Sequence, residues 1–97
     1  MATTNWGSWT FNTTNACLEH PMGTSPYQVP VYEMTNSAEI LDWIFQIEEK
    51  TWATSQVIGD FVAAIADILG RGVAGGGIDH PIDPKKILAA KYDIDFS

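Results

Sequence analysis

The sequence predicts an α+β fold: a β-hairpin, with an extra N-terminal strand as the alternative, packed on an antiparallel two-helix hairpin and followed by a short C-terminal helix. Three observations predict it. Apolar residues recur at helical spacing in two successive stretches, 37–49 and 55–69, with only a short link between them. Before them, two stretches of β-favouring residues flank a turn rich in proline and glycine. After them, an Asp-Pro pair opens a further helical stretch. The chain has 97 residues, 45% of them hydrophobic and 18% charged, which fits one small domain (1–97) with one modest core.

The elements follow in order. Residues 1–14 carry Trp6, Trp9 and Phe11 among Thr, Asn, Ser and Gly. Trp9 and Phe11 alternate as on a strand, while the first five residues read equally well as frayed, so 1–14 is expected to be a partly flexible N-terminal arm. Residues 16–20 and 27–34 read as strands around the turn 21–26. In the second, Tyr27, Val29 and Val31 share one face and Tyr32 and Met34 the other. Pro30 has no N–H to give to a ladder, which places this strand at a sheet edge.

Asn36 as N-cap puts Glu39 at the third helical position, close to a capping box. Ile40, Leu41, Ile44, Phe45 and Ile47 form a broad apolar stripe, widened by Trp43, with Asp42, Gln46 and Glu49 on the wet side. Thr54 or Ser55 caps a second helix, along which Val57, Ile58, Phe61, Val62, Ile65, Ile68 and Leu69 recur, and Gly70 ends it. Trp52 is expected to plug the corner between the helices. Residues 70–82, GRGVAGGGIDHPI, read as a Gly-rich loop. Asp83-Pro84 then starts a third helix carrying Ile87, Leu88 and Lys91, and the alternating tail YDIDFS reads as an edge strand or a loose end.

Charge carries the clearest functional information. Twelve acids against five bases give a net charge of −7. Glu19, Glu33, Glu39, Asp42, Glu48 and Glu49 all precede Lys50, the first base in the chain. That sign opposes direct binding to a phosphate backbone and favours a basic protein or ribonucleoprotein partner. Cys17 is the only cysteine, so no internal disulfide can form. The N-terminus shows no signal-peptide pattern and no run approaches a membrane span, so a cytoplasmic protein is expected.

Motifs for chemistry are weak. Residues 70–75 match G-x-G-x-x-G, but a helix is expected before them where dinucleotide binding needs a strand, so no cofactor is expected. Cys17 and His20, with His80 and Asp83, could make a metal set, yet both histidines precede prolines in turns, and no metal is expected. Ser25 near His20, and the pairs Glu48-Glu49 and Asp93/Asp95, lack the buried pocket that nucleophilic or acid–base chemistry needs. The chain therefore reads as a binding protein, not an enzyme. Trp43 and Trp52 read as packing residues. Trp6 and Trp9 are open between packing and exposed partner contact.

The run AEILDWIFQIEEKTWATSQVIGDFVAAIADIL resembles a group of short uncharacterised bacterial proteins, many carried on mobile elements. The likeness spans about residues 15–70 and rests on LDWIFQ (41–46) and KTWAT (50–54), after a second strand at 27–33. Members of that group continue with a cysteine-containing segment after the second helix, where this chain has GRGVAGGGIDHP. Small acidic proteins of phages and mobile elements are often inhibitors of host defence, anti-CRISPR proteins among them. The resemblance and the charge together imply an inhibitor that occupies a basic nucleic-acid-binding surface, acting as a DNA mimic. Glu33, Glu39, Asp42, Glu48 and Glu49 would make the contacts, with Trp6 and Trp9 as anchors. The alternatives are an immunity or antitoxin-type partner of a toxin or nuclease, which a neighbouring toxin gene would favour, and a small metal-dependent enzyme, which stoichiometric zinc would favour.

Overall fold

Trp6 and Trp9 face each other across a two-residue turn, and the sheet starts from that pair. The computed structural model describes residues 4–22, 24–35, 37–70 and 83–96. Strands β1 (Asn5–Trp6) and β2 (Trp9–Asn12) run antiparallel around Gly7 and Ser8. Gly7 has φ 60°, a positive value that suits the first central position of a tight hairpin turn. A Cβ at Gly7 would also lie 1.9 Å from Asp60 Oδ2. Residues 5–12 lie in the sheet, so the strand read from the alternation of Trp9 and Phe11 is present and gains a partner at Asn5–Trp6. The run W-G-S-W held the hairpin signal.

Strands β3 (Cys17–His20) and β4 (Tyr27–Pro30) extend the sheet in the order β1-β2-β3-β4, each antiparallel to its neighbour. The link from β2 to β3 is held by asparagine side chains. Asn12 Oδ1 accepts from Thr14 N at 2.8 Å and Asn15 Oδ1 from Cys17 N at 3.1 Å. β4 lies at the edge, as Pro30 requires. It does not run on to residue 34: Val31 N donates to Ala16 O at 3.2 Å, and Val31–Glu33 then winds into a 3-10 turn. Pro30 pairs with Cys17 with its nitrogen on the open edge, and the turn after it brings Val31 and Met34 into the core together instead of onto opposite faces.

Three helices follow: α1 (Ser37–Glu48), α2 (Ser55–Leu69) and α3 (Pro84–Tyr92). Their ends obey capping chemistry. The Thr54 side chain accepts from Val57 N, the Asp83 side chain from Lys86 N, both at 3.2 Å, and Gly70 takes φ 114° after α2. The start of α1 matches a cap at Asn36, but that residue lies outside the described ones. So do residues 71–82, with most of the Gly-rich stretch and its G-x-G-x-x-G pattern. Asp93 adopts a left-handed conformation (φ 58°) after α3, so the tail forms no strand. Ile94 and Phe96 instead pack, half-buried, on the core.

Helix α2 is the centre of the packing. It lies on β1 and β2, with α3 and α1 beside it. Phe61, Ala64, Ile65 and Ile68 are fully buried there, against Trp9, Leu18, Val29 and Leu88. Lys91 of α3 caps the end of α2, donating to the carbonyls of Asp67 and Ile68. The other face of the sheet is polar: Asn5, Thr10, Glu19 and Gln28 lie side by side by register, and Gln28 donates to Glu19 at 2.7 Å. No helix among the described residues is long and apolar enough to cross a membrane.

Gly59 sits exposed inside α2, and a Cβ there would meet nothing within 4 Å. Gly59→Ala should therefore stabilise the protein by about 0.5–1 kcal/mol, by restricting the unfolded chain and favouring helix. Urea denaturation measures it. A loss of stability would mean that Gly59 serves a contact beyond the helix itself.

Candidate functional site

The residues expected to carry function divide sharply by burial. Trp9 is fully buried, its Nε1 donating to Val57 O at 2.9 Å and its ring 5.1 Å from that of Phe61. Trp6 is 8% exposed, and its Nε1 donates to Asp67 Oδ2 at 2.7 Å. Both indoles tie the first hairpin to α2, so neither is available as an exposed anchor. Alternation along β2 and the tight turn carry them to the inner face of the sheet.

The acids are elsewhere. Glu33 is exposed on the 3-10 turn, Asp42 and Glu48 are exposed on α1, and Glu49 is exposed just after it. Glu39 is half-buried and accepts from Thr35 Oγ1 at 2.5 Å, a bond that ties the first turn of α1 to the segment before it. Lys50, the first base, lies over the Tyr27 ring, 5.5 Å from its centroid.

Between these acids lies a feature that reading the stripe as core had missed. Ile40 and Ile47 are buried at 2% and 0%, but Leu41 is 49% and Phe45 54% exposed. One turn apart, Leu41 and Phe45 are neighbours on the helix surface. At about 100° per residue, Glu48 falls on one side of this pair and Asp42, with Glu49, on the other. The apolar residues of α1 (40, 41, 43, 44, 45 and 47) spread over most of its circumference, more than one neighbouring helix can cover. That spread was the available signal.

Trp52 does more than plug a helix corner. It stacks on His20 (4.3 Å between ring centroids, 15° between planes) and meets Tyr27 edge-on at 5.2 Å, fastening the link between α1 and α2 to the end of the sheet. His20 is only 8% exposed, and its Nδ1 has no hydrogen-bond partner. Ser25 is exposed in the turn, so this ring packs as a core aromatic. Cys17 and His20, three apart on β3, point to opposite faces of the sheet and do not converge. His80 lies outside the described residues, and no group of three metal-ligating side chains gathers among those described. The acids Glu48, Glu49, Asp93 and Asp95 are exposed.

Among the described residues, two clefts open to solvent can be outlined. One, of about 200 Å³, is bordered by Tyr32, Lys85, Asp95 and Phe96 near the tail. The other, of about 310 Å³, lies by Ser8, Glu19 and Pro26 on the polar face of the sheet. Neither contains a histidine or cysteine in its lining.

Among the described residues, burial shifts three titrating groups in one direction. It raises the Cys17 thiol above its usual 9.0, with Glu19 and Glu33 adding to the effect. It raises the Tyr27 phenol above 10.0, and the Tyr92 phenol likewise, there with help from Asp67. Each group holds its proton more tightly in the folded chain, so the stability this contributes is complete below the unfolded value and declines as pH rises through the folded one. Denaturation midpoints should therefore fall as pH rises above about 9, and further above about 10. Cys17→Ala should weaken the first part of that decline. A flat profile up to about pH 11 would contradict it. Comparison with protein-family models, with curated proteins and with solved structures finds no match for this chain.

Proposed function

We propose that this protein is a non-enzymatic inhibitor that binds a basic protein surface through the acidic side of α1, with Glu33 as an outlying contact. The specific reading is an anti-CRISPR protein from a phage or mobile element that occupies the nucleic-acid-binding surface of a host defence effector. The observation that carries it is the exposure of Asp42, Glu48 and Glu49 around one helix, in a half of the chain with no base before Lys50. A fixed array of carboxylates presents the charge that a phosphate track presents, and it speeds encounter with a positive cleft. The resemblance around LDWIFQ and KTWAT supports the mobile-element origin.

The test is co-purification of a CRISPR effector complex with the tagged protein. The complex should be retained by the wild type and lost when Glu33, Glu39, Asp42, Glu48 and Glu49 are all changed to lysine. Undiminished retention by the reversed protein would remove the electrostatic mechanism. A folded reversed protein, shown by an unchanged near-UV circular dichroism spectrum, makes the comparison valid.

A further inference from the structure

Acidity alone does not account for the shape of the α1 surface. A helix meant only to present charge would place polar residues between its carboxylates, yet Leu41 and Phe45 stand there, 49% and 54% exposed. They are the two largest apolar exposures on this helix and they adjoin, which separates them from the scattered exposed leucines that every protein carries. Half-buried Ile44 continues the apolar surface toward the core.

Resting on the proposed function, we infer that this surface takes one kind of occupant: an apolar slot bordered by lysine or arginine, as on a basic amphipathic helix or a cleft of that character. Leu41 and Phe45 fill the slot, while Asp42, Glu48 and Glu49 pair with the basic border. Charge decides against the other occupants. A second copy of this chain docked about a two-fold axis would set the same three carboxylates against one another, with Lys50, over the Tyr27 ring, as the one base next to them in the chain. An anionic lipid surface is repelled by the same border. A bare phosphate-like contact leaves the apolar pair in water and gains nothing from it. The apolar centre supplies holding strength and the acidic border supplies steering and register, the usual division between the core and rim of an interface.

The probes are two synthetic peptides of identical leucine and lysine content, each roughly 18 residues long, about five helical turns. One has its leucines at helical spacing so that they form an apolar face; the other is scrambled so that none forms. Titration calorimetry on the full-length protein should show the amphipathic peptide binding at least about tenfold more tightly than the scrambled one. Leu41→Ser with Phe45→Ser should erase that difference and leave the weak, salt-sensitive binding of the scrambled peptide. Asp42→Lys with Glu48→Lys and Glu49→Lys should abolish both.

Equal binding of the two peptides by the wild type would overturn the apolar slot and leave the charge-based function standing. Binding of neither peptide at low salt would overturn both. A wild-type dimer by sedimentation that becomes a monomer with Leu41→Ser and Phe45→Ser would assign the ridge to a second copy and overturn the inference. The wild-type peptide comparison decides the matter even where the serine variant fails to fold.

Discussion

Trp9→Ala is expected to cost about 3–5 kcal/mol, the range for emptying a fully packed aromatic site. Trp9 is 0% exposed and stands where three parts of the molecule meet: the sheet through His20 (5.3 Å between rings), α2 through Phe61 (5.1 Å) and the interhelical link through Trp52 (6.3 Å). Its removal leaves a cavity among rings that are each held by others, so little of it can close by relaxation. It also removes the donor to Val57 O at the first turn of α2. A domain of this size is stable by only about 5–15 kcal/mol, so the variant should be partly unfolded or melt far below the wild type. Trp9→Phe keeps most of the ring and should cost less, with loss of the hydrogen bond accounting for about 1 kcal/mol. Urea denaturation followed by far-UV circular dichroism measures both. A loss below about 1 kcal/mol for Trp9→Ala would mean that the site collapses and that Trp9 is not the keystone of the packing.

Much of this architecture is legible in the residues. Helix starts and ends obey local chemistry, so Thr54, Gly70 and the Asp83-Pro84 pair announce themselves, and Pro30 marks an edge strand wherever it lies. Other features depend on partners distant in the chain. Trp6 stays open between packing and exposure until Asp67, 61 positions away, supplies its hydrogen-bond acceptor. Leu41 and Phe45 look like core because periodicity reports which residues share a helix face, not how much of that face a neighbour covers. The 3-10 turn after Pro30 was likewise hidden, since Val31 to Met34 alternate well enough for a strand. What distinguishes the turn is that Val31 and Met34 are both fully buried, which alternation along a continued strand would not allow.

The molecule separates into a framework and a surface. The aromatic framework of Trp6, Trp9, His20, Trp52 and Phe61 holds α2 on the sheet and fixes where α1 leaves it. The surface of α1 is then displayed in one orientation, carrying its acids at defined positions.

Reversal of the five acids to lysine is the second large effect. It changes the net charge from −7 by ten units, to +3. Association with a basic effector should slow by about two orders of magnitude at low salt, within the range by which electrostatic steering alters encounter rates. The wild-type rate should fall steeply as salt is raised, and the reversed protein should lose that dependence or invert it. Stopped-flow mixing or surface plasmon resonance across a salt series provides the comparison. Equal rates and equal salt slopes for the two proteins would show that these carboxylates do not steer binding.

An inhibitor that occupies a nucleic-acid-binding surface must compete with the nucleic acid for it. A CRISPR effector retained by the tagged protein is given its labelled target DNA with and without the inhibitor, and DNA binding is read by fluorescence anisotropy. The wild-type protein and the DNA should exclude each other, so that saturating inhibitor abolishes the anisotropy signal and excess DNA restores it, while the five-lysine variant leaves DNA binding unchanged. Simultaneous binding of inhibitor and DNA to the same effector, or full inhibition by the five-lysine variant, would contradict occupation of that surface.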